Sequence, residues 1–250
     1  MKIRTLILLL FLTSLPASNA FGWGDEGHDV VVRLAFRLMK PTERKAAYDL
    51  LGTHDTYQIG NWADDIKKKN GTANWHYVDI PDRDEHYNAD RDCPNGDCIV
   101  AKLAMVQSTI RNHSASRKAR KEALLYWFHL VADLYQPFHC YGDKEGGNGI
   151  TVYFKGEETN LHALWDTKII RYKNSSPTTL AEDIFNASHR VPAAMTTFIE
   201  AAEHSHARAV DMKLKNKSTV NGDYVARSWA MINTCLWDAA CMAATIGPDL

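Results

Sequence analysis

The chain has almost no net charge: 29 Lys and Arg stand against 30 Asp and Glu in 250 residues, a formal −1 with neutral His. Such a protein has no long-range attraction for polyanions, so any affinity for phosphate must come from a local field. Cysteine is scarce and odd in number, five in all, so at least one thiol is left out of any pairing. After the first twenty residues no apolar run approaches the length needed to cross a membrane. Repeats, low-complexity linkers and composition breaks are also missing, which makes one domain the economical reading.

What the sequence does have begins with "MKIRTLILLLFLTSLPASNAFG" over residues 1–22: a basic start, an apolar stretch and small residues near a cleavable boundary. This is the pattern of a secretory signal, with cleavage after Ala20 or after Gly22, the latter making Trp23 the first mature residue. A secreted or periplasmic protein without stable membrane association is expected. Cys93 and Cys98 bracket the turn sequence "PNGD" and Cys235 and Cys241 share one helix end, so two disulfides are expected there. Cys140 is left over, as a buried thiol or a soft metal ligand.

Apolar periodicity is helical nearly throughout, with Pro at starts or stops and Gly after ends, as in "PTERKAAYDLLG" at 41–52. Further helices are expected over 28–39, 56–69, 97–113, 116–136, 161–172, 179–188, 192–210 and 221–244, with a glycine-rich loop and short hairpin over 142–156. The fold class is all-α: a single compact multi-helix domain over 23–250 with a short β-hairpin.

Against this apolar background the ionisable residues stand out. In "YWFHLVADLYQPFHC" His129 and Asp133 are four apart, about 40° from each other on one helix face, so both can reach one point. His139 follows Pro137, where the helix should end, and can return toward the same end. "NLHALWD" repeats the device with His162 and Asp166; "NWADD" adds Asp64, "NWHYVDI" adds His76 in an extended segment, and "WGDEGH" adds His28. Burying so many ionisable groups without a counter-ion would be costly, so the set reads as a zinc site with mixed nitrogen and oxygen ligands. His54, His86, His113, His189, His204 and His206 have no such partner and read as ordinary surface or core residues. Sequons stand at Asn70, Asn112, Asn174, Asn186 and Asn216.

In their order and spacing, "WGDEGH", "NWADDIK", "WHYVDI", "HLVADLYQPFH", "GGN" and "NLHALWD" resemble the S1/P1 nuclease family over nearly the whole mature chain. The resemblance implies a helical fold with three zinc ions at the bottom of a cleft. One would be held by Asp64, His76, His129 and Asp133, and a second by His139, His162 and Asp166. The third would take the free α-amino group and carbonyl of Trp23, His28 and a bridging Asp133. Three zinc ions against three aspartates leave about +3 in the cleft, the local field that the overall charge does not supply. The resemblance further implies Asp64 orienting or deprotonating the attacking water, Lys67 one turn on steadying the transition-state phosphate, and a nucleoside pocket of Tyr77, Asp79 and Asn148. The implied activity is a single-strand-preferring endonuclease on DNA and RNA that also acts as a 3′-nucleotidase, working as a monomer. Zinc phospholipases C resemble it through the same fold, which leaves a phospholipid phosphodiesterase as the alternative and a non-catalytic zinc protein as a third reading. Asp166, where the phospholipases carry Glu, together with Tyr77, Asp79 and "GGN", favours the nuclease.

Overall fold

The computed structural model describes residues 23–188 and 197–250. The expected signal segment over 1–22, the start of the expected 192–210 helix and His189 lie outside the described residues. In chain order the helices are α1 (Asp25–Leu38), α2 (Pro41–Leu51), α3 (Thr56–Asn70), the single turn α4 (Ala89–Asp92), α5 (Ile99–Arg111) and α6 (Arg117–Leu134). After the strands β1 (Thr151–Phe154) and β2 (Glu157–Asn160) come α7 (Leu161–Ala163), α8 (Ile169–Tyr172), α9 (Pro177–Ala187), α10 (Phe198–Met212), β3 (Ser218–Thr219) and α11 (Gly222–Ala244). The expected all-α class with a short hairpin is what is observed.

The helix limits follow local chemistry. Pro41 opens α2, where its missing N–H costs nothing, and Gly52 closes it at φ 69, a left-handed position that residues with a Cβ resist. Asp55 caps α3 through its side chain and Ser116 caps α6 in the same way. Helix α6 is buried from Ala123 to Leu134 and forms the centre of the molecule, with α5, α3, α11 and α1 packed around it. Burial of its polar end is what gives the site a dry floor.

Three expectations are corrected. His76 ends a 3-10 turn (Ala73–His76) rather than lying in an extended segment, and Tyr77 to Ile80 runs extended without joining a sheet. This stretch is clamped by Val78 N–H donating to His139 O (2.8 Å), Gly142 N–H to Ile80 O (2.8 Å) and Ile99 N–H to Tyr77 O (3.0 Å). The hairpin gains a third strand, β3, parallel to β1, a pairing across some sixty residues that no local pattern announces. Only Cys93–Cys98 forms a disulfide; Cys235 and Cys241 are both free. They lie in the body of α11, where a spacing of six residues means about 9 Å of rise and about 120° round the helix, beyond the reach of a disulfide.

Candidate metal centre

Six separate segments deliver the polar core. His28 comes from the first turns of α1, Asp64 from α3, His76 from the 3-10 turn, and His129 with Asp133 from the end of α6. His139 comes from the 3-10 turn Pro137–Cys140, and His162 with Asp166 from the helix that begins at α7. Between α7 and α8 that helix widens into one π-helical turn, Leu164–Lys168, a distortion that often marks functional sites. His28, His129 and Asp133 have no solvent exposure and Asp166 has 3%, so these groups meet inside the protein.

Their distances are short. Asp133 Oδ2 lies 2.9 Å from His76 Nδ1 and 3.1 Å from His129 Nε2, and its Oδ1 lies 3.4 Å from His28 Nε2. Asp64 Oδ1 is 3.5 Å from His129 Nε2 and 3.6 Å from His76 Nδ1. His162 Nε2 is 3.0 Å from Asp166 Oδ2, and His139 Nε2 is 3.9 Å from Asp166 Oδ1. Three groups among the described residues could therefore hold a metal ion: His28, Asp64 and His129; His76, His129 and Asp133; and His139, His162 and Asp166.

Hydrogen bonding decides what these atoms can do. His129 Nδ1 faces Gly60 O at 2.6 Å, His139 Nδ1 faces His76 O at 2.7 Å, and His162 Nδ1 faces Gly146 O at 2.7 Å. A carbonyl only accepts, so each Nδ1 must carry the proton, and in the neutral ring each Nε2 then points a lone pair inward. In the first and third of these rings that lone pair meets a carboxylate oxygen within 3.1 Å, an arrangement that repels unless a proton or a cation lies between. His28 (both ring nitrogens), His76 Nε2, His139 Nε2, His162 Nε2 and Asp133 Oδ1 are also buried without a hydrogen bond. Committed imidazoles outside, unpartnered donors inside: the residues fit a metal.

Without metal the same need for positive charge appears as protonation. Burial alone would depress His129, but Asp133 and Asp64 outweigh it and push it up to about 10. Burial likewise opposes the ionised forms of Asp133 and Asp64, yet His129 leads the groups that hold both well below the usual carboxylate range. His139 is driven down to about 3 by burial, and burial lifts Asp166 to about 6 against the pull of His162.

The S1/P1 Nuclease family model matches residues 23–246. The chain belongs to the S1/P1 nuclease family. It is 32% identical to Endonuclease 3 of Arabidopsis thaliana over 68% of this chain and 64% of that protein, and 29% identical to Endonuclease 2 of the same plant over 69% and 62%. It is 30% identical to Nuclease S1 of Aspergillus oryzae over 61% of this chain and 56% of that protein. The matched stretch thus spans a little under two thirds of the length of these relatives.

In this S1/P1 chain the other sequence-predicted residues are distributed as follows. Lys67 is half-buried with Nζ 2.9 Å from Asp64 Oδ1, whereas Lys68 and Lys69 are exposed, so the cation next to the site is separated from the solvated run that follows. Tyr77 is 38% exposed and its hydroxyl donates to Asn74 Oδ1 at 3.0 Å. Asp79 is also exposed, and its carboxyl is lifted to about 6 by partial desolvation and then by Asp92. Asn148 lies on the glycine loop with its Nδ2 turned back to Glu145 O at 2.8 Å. Trp23 is fully buried against Gly27, and Gly24 N–H donates to Asp166 O at 2.7 Å, which ties the start of the described chain to the site. Cys140 is buried with its thiol toward Leu134 O and belongs to none of the metal groups.

Sequence reasoning missed two supports. Gln136, fully buried, donates from Nε2 to Asp166 Oδ1 and accepts from Phe138 N–H at 2.6 Å, which fixes both the carboxylate and the turn carrying His139. A lone polar residue between the helix end and Pro137 was its only signal. Gly146, at φ 64, brings its carbonyl to His162, and a Cβ there would lie 2.8 Å from Phe138 O. Its doublet with Gly147 was visible as loop, but the histidine it orients was not.

Proposed function

We propose that this chain is a zinc-dependent nuclease that cleaves single-stranded DNA and RNA to 5′-phosphorylated products and removes phosphate from 3′-nucleotides. The observation that carries the reading is the inward set of unpartnered imidazole and carboxylate atoms around Asp133 and Asp166. That donor set suits zinc. Asp64, His76, His129 and Asp133 would hold one ion, and His139, His162 and Asp166 a second. His28 and Asp133 would hold a third with the backbone of Trp23, whose amine can serve only when no peptide bond precedes it. Zinc bound there would supply Lewis acidity to a phosphate and make a water acidic near neutral pH.

The chain's own groups do the rest. Asp64, held well below the usual carboxylate range chiefly by His129, is ionised at neutral pH and orients the attacking water or accepts its proton. Lys67, beside it at 2.9 Å, offsets charge growing on the phosphate oxygens. Tyr77 offers an exposed ring for stacking, while Asp79 and Asn148 offer hydrogen bonds to a base edge. Stacking on a tyrosine accepts any base but needs it unstacked from its neighbours, hence the preference for single strands. The disulfide Cys93–Cys98 and the leader over 1–22 support an exported protein, secreted or periplasmic.

The test is hydrolysis of single-stranded DNA, RNA, 3′-AMP and phosphatidylcholine vesicles by the purified protein, with and without chelator. Chelator-sensitive turnover of the first three is expected. Turnover of phosphatidylcholine alone would replace the nuclease with a phospholipase, and no turnover of any substrate by metal-loaded protein would leave a structural metal site.

A further inference from the structure

Beyond the metal centre the molecule has a second site with ligand-binding character. A cavity of about 470 Å³ lies where the last turns of α1, the start of α2, the 54–56 segment and α9 meet. Its walls carry Arg33 and Arg37, one turn apart on α1, and Arg44 from α2. Arg33 is five residues beyond His28, about 7.5 Å along α1 and about 140° round it, so this cavity faces away from the metal ligands.

The guanidiniums are anchored but not used up. Arg33 Nε rests 2.9 Å from Asp29 Oδ1, Arg37 stacks with Cζ 3.8 Å above the Phe185 ring, and Arg44 Nη1 donates to Phe36 O at 3.3 Å. Each guanidinium has five N–H donors in a fixed fork, so most remain to meet a ligand. Asp29 offsets Arg33, and of the two carboxylates lining the cavity Asp55 is turned to capping α3 through Gln58 N–H, so the donors of Arg37 and Arg44 face Glu182. Two guanidiniums, those of Arg37 and Arg44, are thus left with donors free of a carboxylate partner on one wall of the cavity.

Beside the arginines an aromatic ladder climbs from core to surface. Phe36 is buried; Tyr48 packs on it at 4.4 Å between centroids, and His54 stacks on Tyr48 at 4.0 Å with the planes only 15° apart. His54 is exposed and ends the ladder, so its outer face is a flat platform for one more ring. A forked set of cationic donors next to a stacking platform is what a phosphate joined to a base requires.

We infer that this cavity is a second nucleotide site, in which Arg37 and Arg44 take the phosphate and His54 stacks the base. The inference rests on the nuclease reading only for the source of such nucleotides. The experiment is equilibrium dialysis of 5′-AMP, and separately inorganic phosphate, against metal-loaded protein. Wild type should show two classes of 5′-AMP site. Arg44→Gln should weaken one class by about tenfold. His54→Ala should weaken 5′-AMP there by at least about fivefold and leave phosphate unchanged. Glu182→Gln should tighten both by about two- to threefold, a gain that misfolding cannot mimic. 5′-AMP binding unmoved in all three variants, whatever the number of site classes, would overturn the inference. Cleavage of a dinucleotide should be unchanged in Arg44→Gln; absence of cleavage in every form, with the Arg44-dependent binding intact, would count against the nuclease and not against this site.

Discussion

Asp133 has both carboxylate oxygens engaged, Oδ1 facing His28 and Oδ2 facing His76 and His129, whereas Asp64 uses Oδ1 alone toward the two histidines and Lys67. Asp133→Asn should therefore lose more bound zinc than Asp64→Asn, because its loss also leaves the mutual repulsion of two ions less compensated. Metal analysis of dialysed variants checks this, and equal zinc content would show that Asp133 does not bridge. Asp79 supports a second prediction. Its carboxyl is raised to about 6, so the folded state prefers it protonated; the stability from that proton is complete below the ordinary value of 3.8 and is lost as pH rises through about 6. Asp79→Asn should hence stabilise the protein at pH 7.5 and have little effect at pH 4. The shift alone would give about 3 kcal/mol, but the side chain is exposed and solvent screening reduces this to about 1 kcal/mol, roughly 2–4 °C in Tm. Thermal melts at the two pH values decide it; a destabilised variant at pH 7.5 would show that the carboxylate has an attractive partner.

Among the elements, the glycine loop carries the clearest structural demand. Gly146 holds φ 64 while its carbonyl receives His162 Nδ1–H, and a methyl group there would collide with Phe138 O. Gly146→Ala should cost about 2 kcal/mol or more, some 4–8 °C in Tm, and should reduce zinc at the His139, His162 and Asp166 set before the others. Calorimetry with metal analysis tests both; full zinc occupancy with lowered Tm would mean that the loop supports the fold and not the histidine. The helices themselves were largely legible, since α1, α2, α3, α5, α6 and α11 fall within a few residues of their periodic patterns and capping signals. The π turn at Leu164–Lys168 was not, because an inserted residue leaves the His162–Asp166 spacing intact in the sequence and changes only the helix beneath it. Nor was the β1–β3 pairing, which depends on distant segments meeting.

At the scale of the whole molecule, the centre joins α1, α3, α6, the two 3-10 turns and the α7–α8 segment, so bound metal would cross-link much of the fold. A ligand present at a thousand times its dissociation constant stabilises by about 4 kcal/mol per site, or about 8–16 °C in a protein of this size. Chelation should lower Tm by about 10 °C or more, and zinc should restore it. The metal-free centre also holds protons, since His129 is raised to about 10, so zinc binding at pH 7 should release at least one proton per chain. An unbuffered titration of stripped protein with zinc reads that directly, and uptake without proton release would mean that His129 is neutral before metal arrives.

The sequence alone determined the helical class, the disulfide at Cys93–Cys98 and which histidines and aspartates stand out from an apolar background, because helix periodicity, turn chemistry and the cost of burying charge act over a few residues. It also paired His129 with Asp133 and His162 with Asp166, since four residues is one helical turn. Only the tertiary structure decided that these pairs, His28, Asp64, His76 and His139 come together as three adjoining groups, and that three backbone carbonyls from distant segments hold Nδ1 protons and turn Nε2 inward. It alone rejected Cys235–Cys241 and brought three arginines and an aromatic ladder to one cavity. Packing between helices is a long-range property, set by how whole faces fit together, and no short stretch of sequence records it.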